Sequence, residues 1–341
     1  MLVQALADAS GALWLAPIDA SQRQSYIGCN RLQAACDEPE TEPMTSTLLP
    51  TTPESLLPLV LQAMSRTPDA RLRQLMAALT THLHQFVLET RVTEAEFERA
   101  VAFLVGIGQA TGETKNEVIL ASDLLGVSTL VAMLNNPPSP NQIGTSESHA
   151  ALLGPFWRQH APRCAAGDNI ARGDTAGTPL DVNGTVYDAA GQPLAGALVD
   201  VWQASPVGLY ENQDESQPDM NLRGCFTTDA QGRYRLRSVH PAGYPVPTDG
   251  PCGELLQAQL RHPYRPAHLH FMVSAPGHRV LITQVFADDA ETLHSDPVFG
   301  VTAPLVGHFE RVQRDGQELA LLTHDFHLLP GEPVFPHPPI P

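Results

Sequence analysis

The segment Arg265-Pro-Ala-His268-Leu-His270-Phe271 concentrates more chemistry than any other stretch of this chain. It reads as a β-strand. Residues i and i+2 of a strand point to one face, so His268 and His270 present two imidazoles side by side. Paired imidazoles are half of a metal site, and the remaining donors decide which metal binds. The cysteines Cys29, Cys36, Cys164, Cys225 and Cys252 are scattered and form no CxxC pair. That argues against a thiolate zinc knot and against a disulfide framework. Glu254 is near in sequence but has no regular spacing to the histidines, and His262 reads as a surface residue on the approach loop. Tyr210, in Gly208-Leu-Tyr-Glu-Asn-Gln213, and Tyr244, in Pro241-Ala-Gly-Tyr-Pro-Val-Pro-Thr-Asp-Gly250, are more distinctive, since both lie in polar, glycine-flanked loops. Tyr187 and Tyr234 occupy alternating strand positions and read as sheet residues. Zinc, ferrous iron and no metal at all remain open for a bare His-x-His pair.

Two kinds of periodicity must position these side chains. The chain has 341 residues, room for two domains. Leu72, Leu75, Met76, Leu79, Leu83 and Phe86 recur at helical spacing. Thr93 with Glu96 is a capping-box pattern ahead of Phe97, Val101, Leu104 and Gly108, and Thr114 with Glu117 repeats it. Ile119, Leu120, Leu124, Val127, Leu130 and Val131 then predict one further amphipathic helix. The proline-rich run from Asn135 to Ser148 ends it and reads as a linker. From about residue 178 the pattern alternates. Strands are predicted over 180–187, 197–202, 233–239, 268–273, 280–286 and 318–324, with no helix of useful length between them. The expected fold class is α+β, an N-terminal helical domain followed by an antiparallel β-sandwich. The expected domains are a poorly ordered extension over 1–45, a helical domain with its linker over 46–150, and the β-sandwich over 151–341.

The formal net charge is −17 and Lys115 is the only lysine. So acidic a chain is a poor partner for nucleic acid or an anionic membrane. No run of about 18 apolar residues suggests a membrane span. The first basic residue is Arg23, so the N-terminus does not read as a secretory signal. A reduced, cytoplasmic setting is expected.

Four blocks make the sequence resemble the intradiol ring-cleavage dioxygenases. They are Leu153-Gly-Pro-Phe156; Val199-Asp-Val-Trp-Gln-Ala204 with Tyr210 after it; Tyr244-Pro-Val-Pro-Thr-Asp-Gly-Pro251; and Arg265-Pro-Ala-His-Leu-His-Phe271 with Gln284 downstream. The helical run Leu120-Ala-Ser-Asp-Leu-Leu-Gly-Val-Ser-Thr-Leu130 is similar to the family's N-terminal domain, and the likeness spans roughly residues 60 to 330. The resemblance implies one Fe(III) per subunit held by Tyr210, Tyr244, His268 and His270. Two phenolates are hard anionic donors suited to ferric iron, whereas ferrous oxygenases pair two histidines with a carboxylate. It implies a small aromatic diol and O2 as substrates and a muconate-type diacid as product. Tyr244 would leave the metal and accept a diol proton, and Arg265 would stabilise negative charge on the substrate with Gln284 beside it. A structural reading of Arg265 pairs it instead with a loop carboxylate such as Asp249.

The blocks at 120–123, 153–156 and 295–301 look more like hydroxyquinol 1,2-dioxygenases than catechol 1,2-dioxygenases. Asp123 would accept a hydrogen bond from the third hydroxyl of benzene-1,2,4-triol, unless it serves only to cap or pair locally. Leu120, Gly154, Pro155, Phe156, Val246, Pro247 and Val298 correspond to the family's pocket walls. Trp157, Arg158 and the length of the stretch 136–150 depart from the family pattern. A catechol or substituted-catechol enzyme is the near alternative. A different class is a non-enzymatic binding module, because Asn183 to Ala197 resembles the strand–turn–strand repeat of transthyretin-like domains. The family is commonly dimeric, which implies a homodimer through the N-terminal helices.

Overall fold

The computed structural model describes residues 49–112, 115–136 and 148–339. The expected extension over 1–45, Thr114 and most of the expected linker lie outside them. The chain forms two compact units, one up to Arg91 and one from Val92 onward.

The first unit carries helices α1 (Leu56–Met64) and α2 (Ala70–Thr90). Asp69 caps α2 by accepting from the Leu72 amide at 2.6 Å. The second unit opens with α3 (Glu94–Ala110), α4 (Glu117–Leu124) and α5 (Val127–Asn135). The predicted capping box is present at α3: the Thr93 amide donates to Glu96 at 2.9 Å, and the Glu96 amide donates to Thr93 Oγ1 at 3.4 Å. Asn116 caps α4, accepting from the Ile119 amide at 2.9 Å; Thr114 of the expected capping pair lies outside the described residues. One expectation changes here. The single helix expected over 119–131 is two, bent by 79°. Gly126 stands at the bend with φ of 71°, which a residue with a side chain rarely adopts.

The strands are β1 (Pro179–Asp188), β2 (Leu198–Trp202), β3 (Arg223–Thr227), β4 (Arg233–Val239), β5 (Tyr244–Pro245), β6 (Tyr264–Arg265), β7 (His268–Ser274), β8 (Leu281–Ala287), β9 (Val306–Gly307), β10 (Phe309–Arg314), β11 (Gln317–Thr323) and β12 (Phe326–Leu328). One sheet runs β10-β11-β1-β12 with β4 also on β1; the other runs β3-β2-β7-β8-β9; β5 and β6 form a small ribbon. The sheets are mixed, not purely antiparallel as expected: β1 pairs β11 and β12 in parallel, and β8 pairs β9 in parallel. Helix α6 (Pro251–Ala258) lies between strands where none was expected. Pro251 at its first turn suits helix initiation, and its apolar side joins the cluster containing Leu120 and Leu124.

The main core is sandwiched between the two large sheets. Leu180, Val182 and Val186 of β1 meet Val199 and Val201 of β2 and Leu269, Phe271 and Val273 of β7. Because the odd residues of β7 face this core, the even ones, His268 and His270, face the other side of the sheet. Those seven β7 residues are all buried, so the far face is also covered. What covers it holds the functional groups.

Candidate active site

The register of the second sheet makes one row across four strands. Arg223 of β3 pairs with Trp202 of β2, Trp202 with His270 of β7, and His270 with Gln284 of β8. The Trp202 indole lies 4.8 Å from the His270 ring at an interplanar angle of 8°. His270 Nδ1 has no hydrogen-bond partner, so stacking is what orients the ring. On the next row His268 donates Nδ1–H to the Pro266 carbonyl at 2.7 Å, which leaves Nε2 as a lone-pair donor. The two Nε2 atoms are 3.1 Å apart. Burial, with Arg265 second, holds the His268 pKa down at about 3. Burial and then His268 depress His270 well below the usual histidine range. Both rings are therefore neutral bases with converging lone pairs.

Two loops bring the phenols to the same point. Tyr210 closes the loop after β2, immediately before a 3₁₀ turn at Glu211–Gln213. Its ring is 5.4 Å from Tyr244 and 6.4 Å from His270. Tyr244 sits on β5, opposite Arg265 on β6, with its ring 5.5 Å from His268. The Tyr210 hydroxyl is fully buried without a hydrogen-bond partner. Burial, then the neighbouring Tyr244, pushes its pKa well up, so as an isolated group it is a neutral phenol in an apolar place. The two imidazole lone pairs and the two phenol oxygens would together hold a cation at the convergence point, which would favour the phenols as phenolates. Two phenols and two neutral imidazoles fit a hard trivalent ion, and among the described residues no group of three His, Cys, Asp or Glu offers a competing site.

Arg265 is buried beside this cluster. Its Nη1 lies 3.4 Å from the Tyr244 hydroxyl and 3.5 Å from His268 Nε2. Nη2 donates to Gln284 Oε1 at 3.0 Å, and Gln284 in turn donates to the Leu152 carbonyl at 2.6 Å. Its carboxylate partner is Asp296, not Asp249: Nε and Nη2 each lie 3.2 Å from an Asp296 oxygen. Asp249 is exposed and pairs with Lys115 at 2.8 Å. Burial opposes the arginine's charge, and Asp296 with Tyr244 outweighs burial, so its pKa is raised and the cation is permanent.

Among the expected pocket residues, Leu120, Val246 and Val298 are buried together in one cluster. Phe156 stacks on Tyr210 at 4.5 Å and meets Tyr244 edge-on at 6.3 Å. Gly154 has φ of 76°, and a Cβ there would stand 3.0 Å from the His270 ring. Pro155 and Pro247 are half-buried next to these residues in sequence. Asp123 is half-buried on α4. Burial lifts its pKa to about 6 against the opposing pull of Ser128 and Arg265, so its carboxyl feels the site's cation. His262 is half-buried and its ring bonds Ser295 Oγ at 2.8 Å. Asp296, Trp202 and the buried pair Glu211–Arg223 (2.6 Å) support the site; Trp202 and Asp296 lie within blocks that carry the family likeness, but none of the four was singled out as a site residue. For Asp296 the available signal was an aspartate opening a Pro-Val-Phe-Gly turn.

The sandwich, the capping helices and the site belong to a dioxygenase. A family model described as dioxygenase matches residues 152–330, and one described as catechol dioxygenase N terminus matches 69–142. The chain belongs to the intradiol ring-cleavage dioxygenase family. It is 45% identical over 280 residues to a hydroxyquinol 1,2-dioxygenase of Rhizobium sp., covering 79% of this chain and 92% of that protein. It is 37% identical over 254 residues to the catechol 1,2-dioxygenase of Candida albicans, covering 73% and 82%. The crystal structure of hydroxyquinol 1,2-dioxygenase from Pseudomonas putida DLL-E4 superposes with a TM-score of 0.76 at 37% identity, covering 82% of this chain and 99% of that one. The chain is thus an enzyme, and the reading as a non-enzymatic transthyretin-like module is set aside. The family models part between 142 and 152, whereas the compact units part at Arg91. Helix α4 explains the difference, because its buried face packs with α6 and the loop carrying Val298.

Proposed function

We propose that this enzyme opens the ring of hydroxyquinol (benzene-1,2,4-triol) between its vicinal hydroxylated carbons, giving 3-hydroxy-cis,cis-muconate and its keto form maleylacetate. Both atoms of O2 enter the product. The observation that carries the reading is the convergence of Tyr210, Tyr244, His268 and His270 on one buried point beside a permanent cation. These four would hold one Fe(III) per subunit. A bound ferric ion supplies Lewis acidity to a chelated diol and draws electron density from its ring.

The chain's own residues do the rest. Tyr244 is the phenol whose oxygen accepts from Arg265 Nη1 at 3.4 Å, so it would take up a diol proton with that oxygen still partnered. Arg265 is a fixed, desolvated cation that stabilises negative charge growing on the ring. Gln284 holds its Nη2 edge. Leu120, Val246, Val298, Pro155, Pro247 and Phe156 supply apolar walls, with Gly154 leaving space beside His270. Asp123 would accept the third hydroxyl. A diol lacking that hydroxyl leaves the carboxylate with Ser128 as its hydrogen-bond partner and one acceptor short of a donor, which would separate hydroxyquinol from catechol. Similarity to proteins named for hydroxyquinol supports the same choice. Oxygen uptake by iron-loaded protein, measured with hydroxyquinol and catechol side by side, tests it. Faster turnover of hydroxyquinol is expected; catechol turnover that equals or exceeds it would move the assignment to the catechol enzymes.

A further inference from the structure

Asp296 makes more directed contacts than any carboxylate the site was expected to use. On one side its two oxygens grip Arg265 Nε and Nη2, each at 3.2 Å. On the other they accept the amides of Val298 at 3.3 Å and Gly300 at 3.0 Å. The Phe299 amide donates to the Asp296 carbonyl at 3.1 Å, and Phe299 takes φ of 54° to complete the turn. A Cβ on Gly300 would come within 2.8 Å of Arg265 Nη2, so the loop closes directly over the guanidinium. Arg261 donates to the Leu124 carbonyl at 3.0 Å, donates to the Pro297 carbonyl, and lies 4.9 Å over the Phe299 ring. The 296–300 loop is thereby keyed to the end of α4, the helix that bears Asp123.

We propose that Asp296 is a positioning residue that turns Arg265 so that Nη1 faces the reaction centre, and that it ties this orientation to the pocket wall at Val298. A guanidinium is a planar fork. With Nε and Nη2 occupied by Asp296, and Nη2 also by Gln284, only Nη1 is left to meet Tyr244 and His268. The same carboxylate sets the backbone that carries Val298. A substrate pressing on that wall therefore acts on the cation's aim, and the turn sequence Asp296-Pro-Val-Phe-Gly300 becomes part of the selection among diols. This rests on the ring-cleavage reading above.

Its test includes a measurement that does not depend on that reading. In protein labelled with ¹⁵N-arginine, the Arg265 Nε–H should exchange slowly with water, and Asp296→Asn should speed that exchange by about tenfold or more. In iron-loaded Asp296→Asn, kcat with hydroxyquinol should fall about 10- to 100-fold, the scale of a small misplacement, while the absorption of the resting enzyme stays unchanged. In an Arg265→Lys background the same change should alter kcat less than about threefold, because the partner it aims is gone. Asp296→Glu serves if the asparagine variant does not fold. It keeps the charge, moves the carboxylate, and should show the same loss of kcat. Wild-type exchange and wild-type kcat in either folded variant would overturn the proposal, as would an equal loss with and without Arg265. Wild-type protein that consumes O2 with neither diol would strike the proposed function instead, and the exchange comparison would still decide whether Asp296 holds the arginine.

Discussion

Tyr210 and Tyr244 carry the same group to the same point but are held differently. Tyr244 shares its hydroxyl with Arg265. Tyr210 has no hydrogen-bond partner and is clamped by Phe156 stacked at 4.5 Å. As the tyrosine without an alternative partner, Tyr210 should be the permanent ligand. Tyr210→Phe is expected to remove or shift the wine-red colour that a ferric phenolate confers and to lower turnover by more than about 100-fold, since even supporting partners of a metal site command that order. Colour that survives unchanged would assign it to the other tyrosine. Asp123 makes a second prediction, in pH. Its folded pKa of about 6 exceeds the ordinary 3.8, so the folded state binds the proton more tightly. This contribution to stability is full below about pH 4 and is lost as pH rises through 6. Asp123→Asn should therefore melt above the wild type at pH 8 and close to it at pH 4. Across the same window the preference of the wild type for hydroxyquinol over catechol should grow as the carboxylate forms, and the asparagine variant should show no such trend. A pH-independent preference in the wild type would relieve Asp123 of that role.

At the scale of elements, β7 does two jobs by alternation: Leu269, Phe271 and Val273 fill the core, and His268 and His270 face the site. That division was legible in the sequence, because period-two patterning is local. The helix pair α4 and α5 was legible as helix but not as a bend. Apolar spacing runs on through Gly126, and only packing of Val298 against α4 and the Phe299 ring near Gly126 shows why the chain turns there. Glu117 joins α4 to α6. It is fully buried, accepts the Cys252 amide at 3.0 Å and lies 3.8 Å from Lys115. Glu117→Ala should cost about 1–3 kcal/mol by leaving that amide unpaired, seen as a lower melting temperature. Because α4 bears Leu120 and Asp123, KM for hydroxyquinol should rise with it. An unchanged melt would mean that the amide finds another partner.

At the scale of the whole molecule, exposed apolar surface is the unexplained feature. In the first unit Leu75, Leu79, Leu83 and Phe86 of α2 are exposed; in the second, Phe97, Val101 and Leu104 of α3 and Leu130, Val131 and Leu134 of α5 are exposed. Stripes of this kind mark interfaces more often than free surface. We propose that they pair two subunits as a homodimer. Sedimentation equilibrium should give twice the chain mass in the micromolar range, and Leu83→Glu with Phe86→Glu should shift it to the single-chain mass while the fold survives. A wild type that sediments only at the single-chain mass would leave the stripes without this partner.

The sequence by itself determined that helices precede a β-sandwich and, by strand alternation, that His268 and His270 share a face; its short blocks, through their likeness to the intradiol family, named Tyr210, Tyr244, Arg265 and Gln284 as candidates beside them. Only the tertiary structure decided who holds whom. Asp296 lies 31 residues from Arg265, and Trp202 lies 68 from His270, yet sheet register and loop closure bring each pair together. Asp249, nearer in sequence to Arg265, turned outward to Lys115. Partnership across such separations is set by strand order and by where loops close, and the periodicity of a single segment does not specify either.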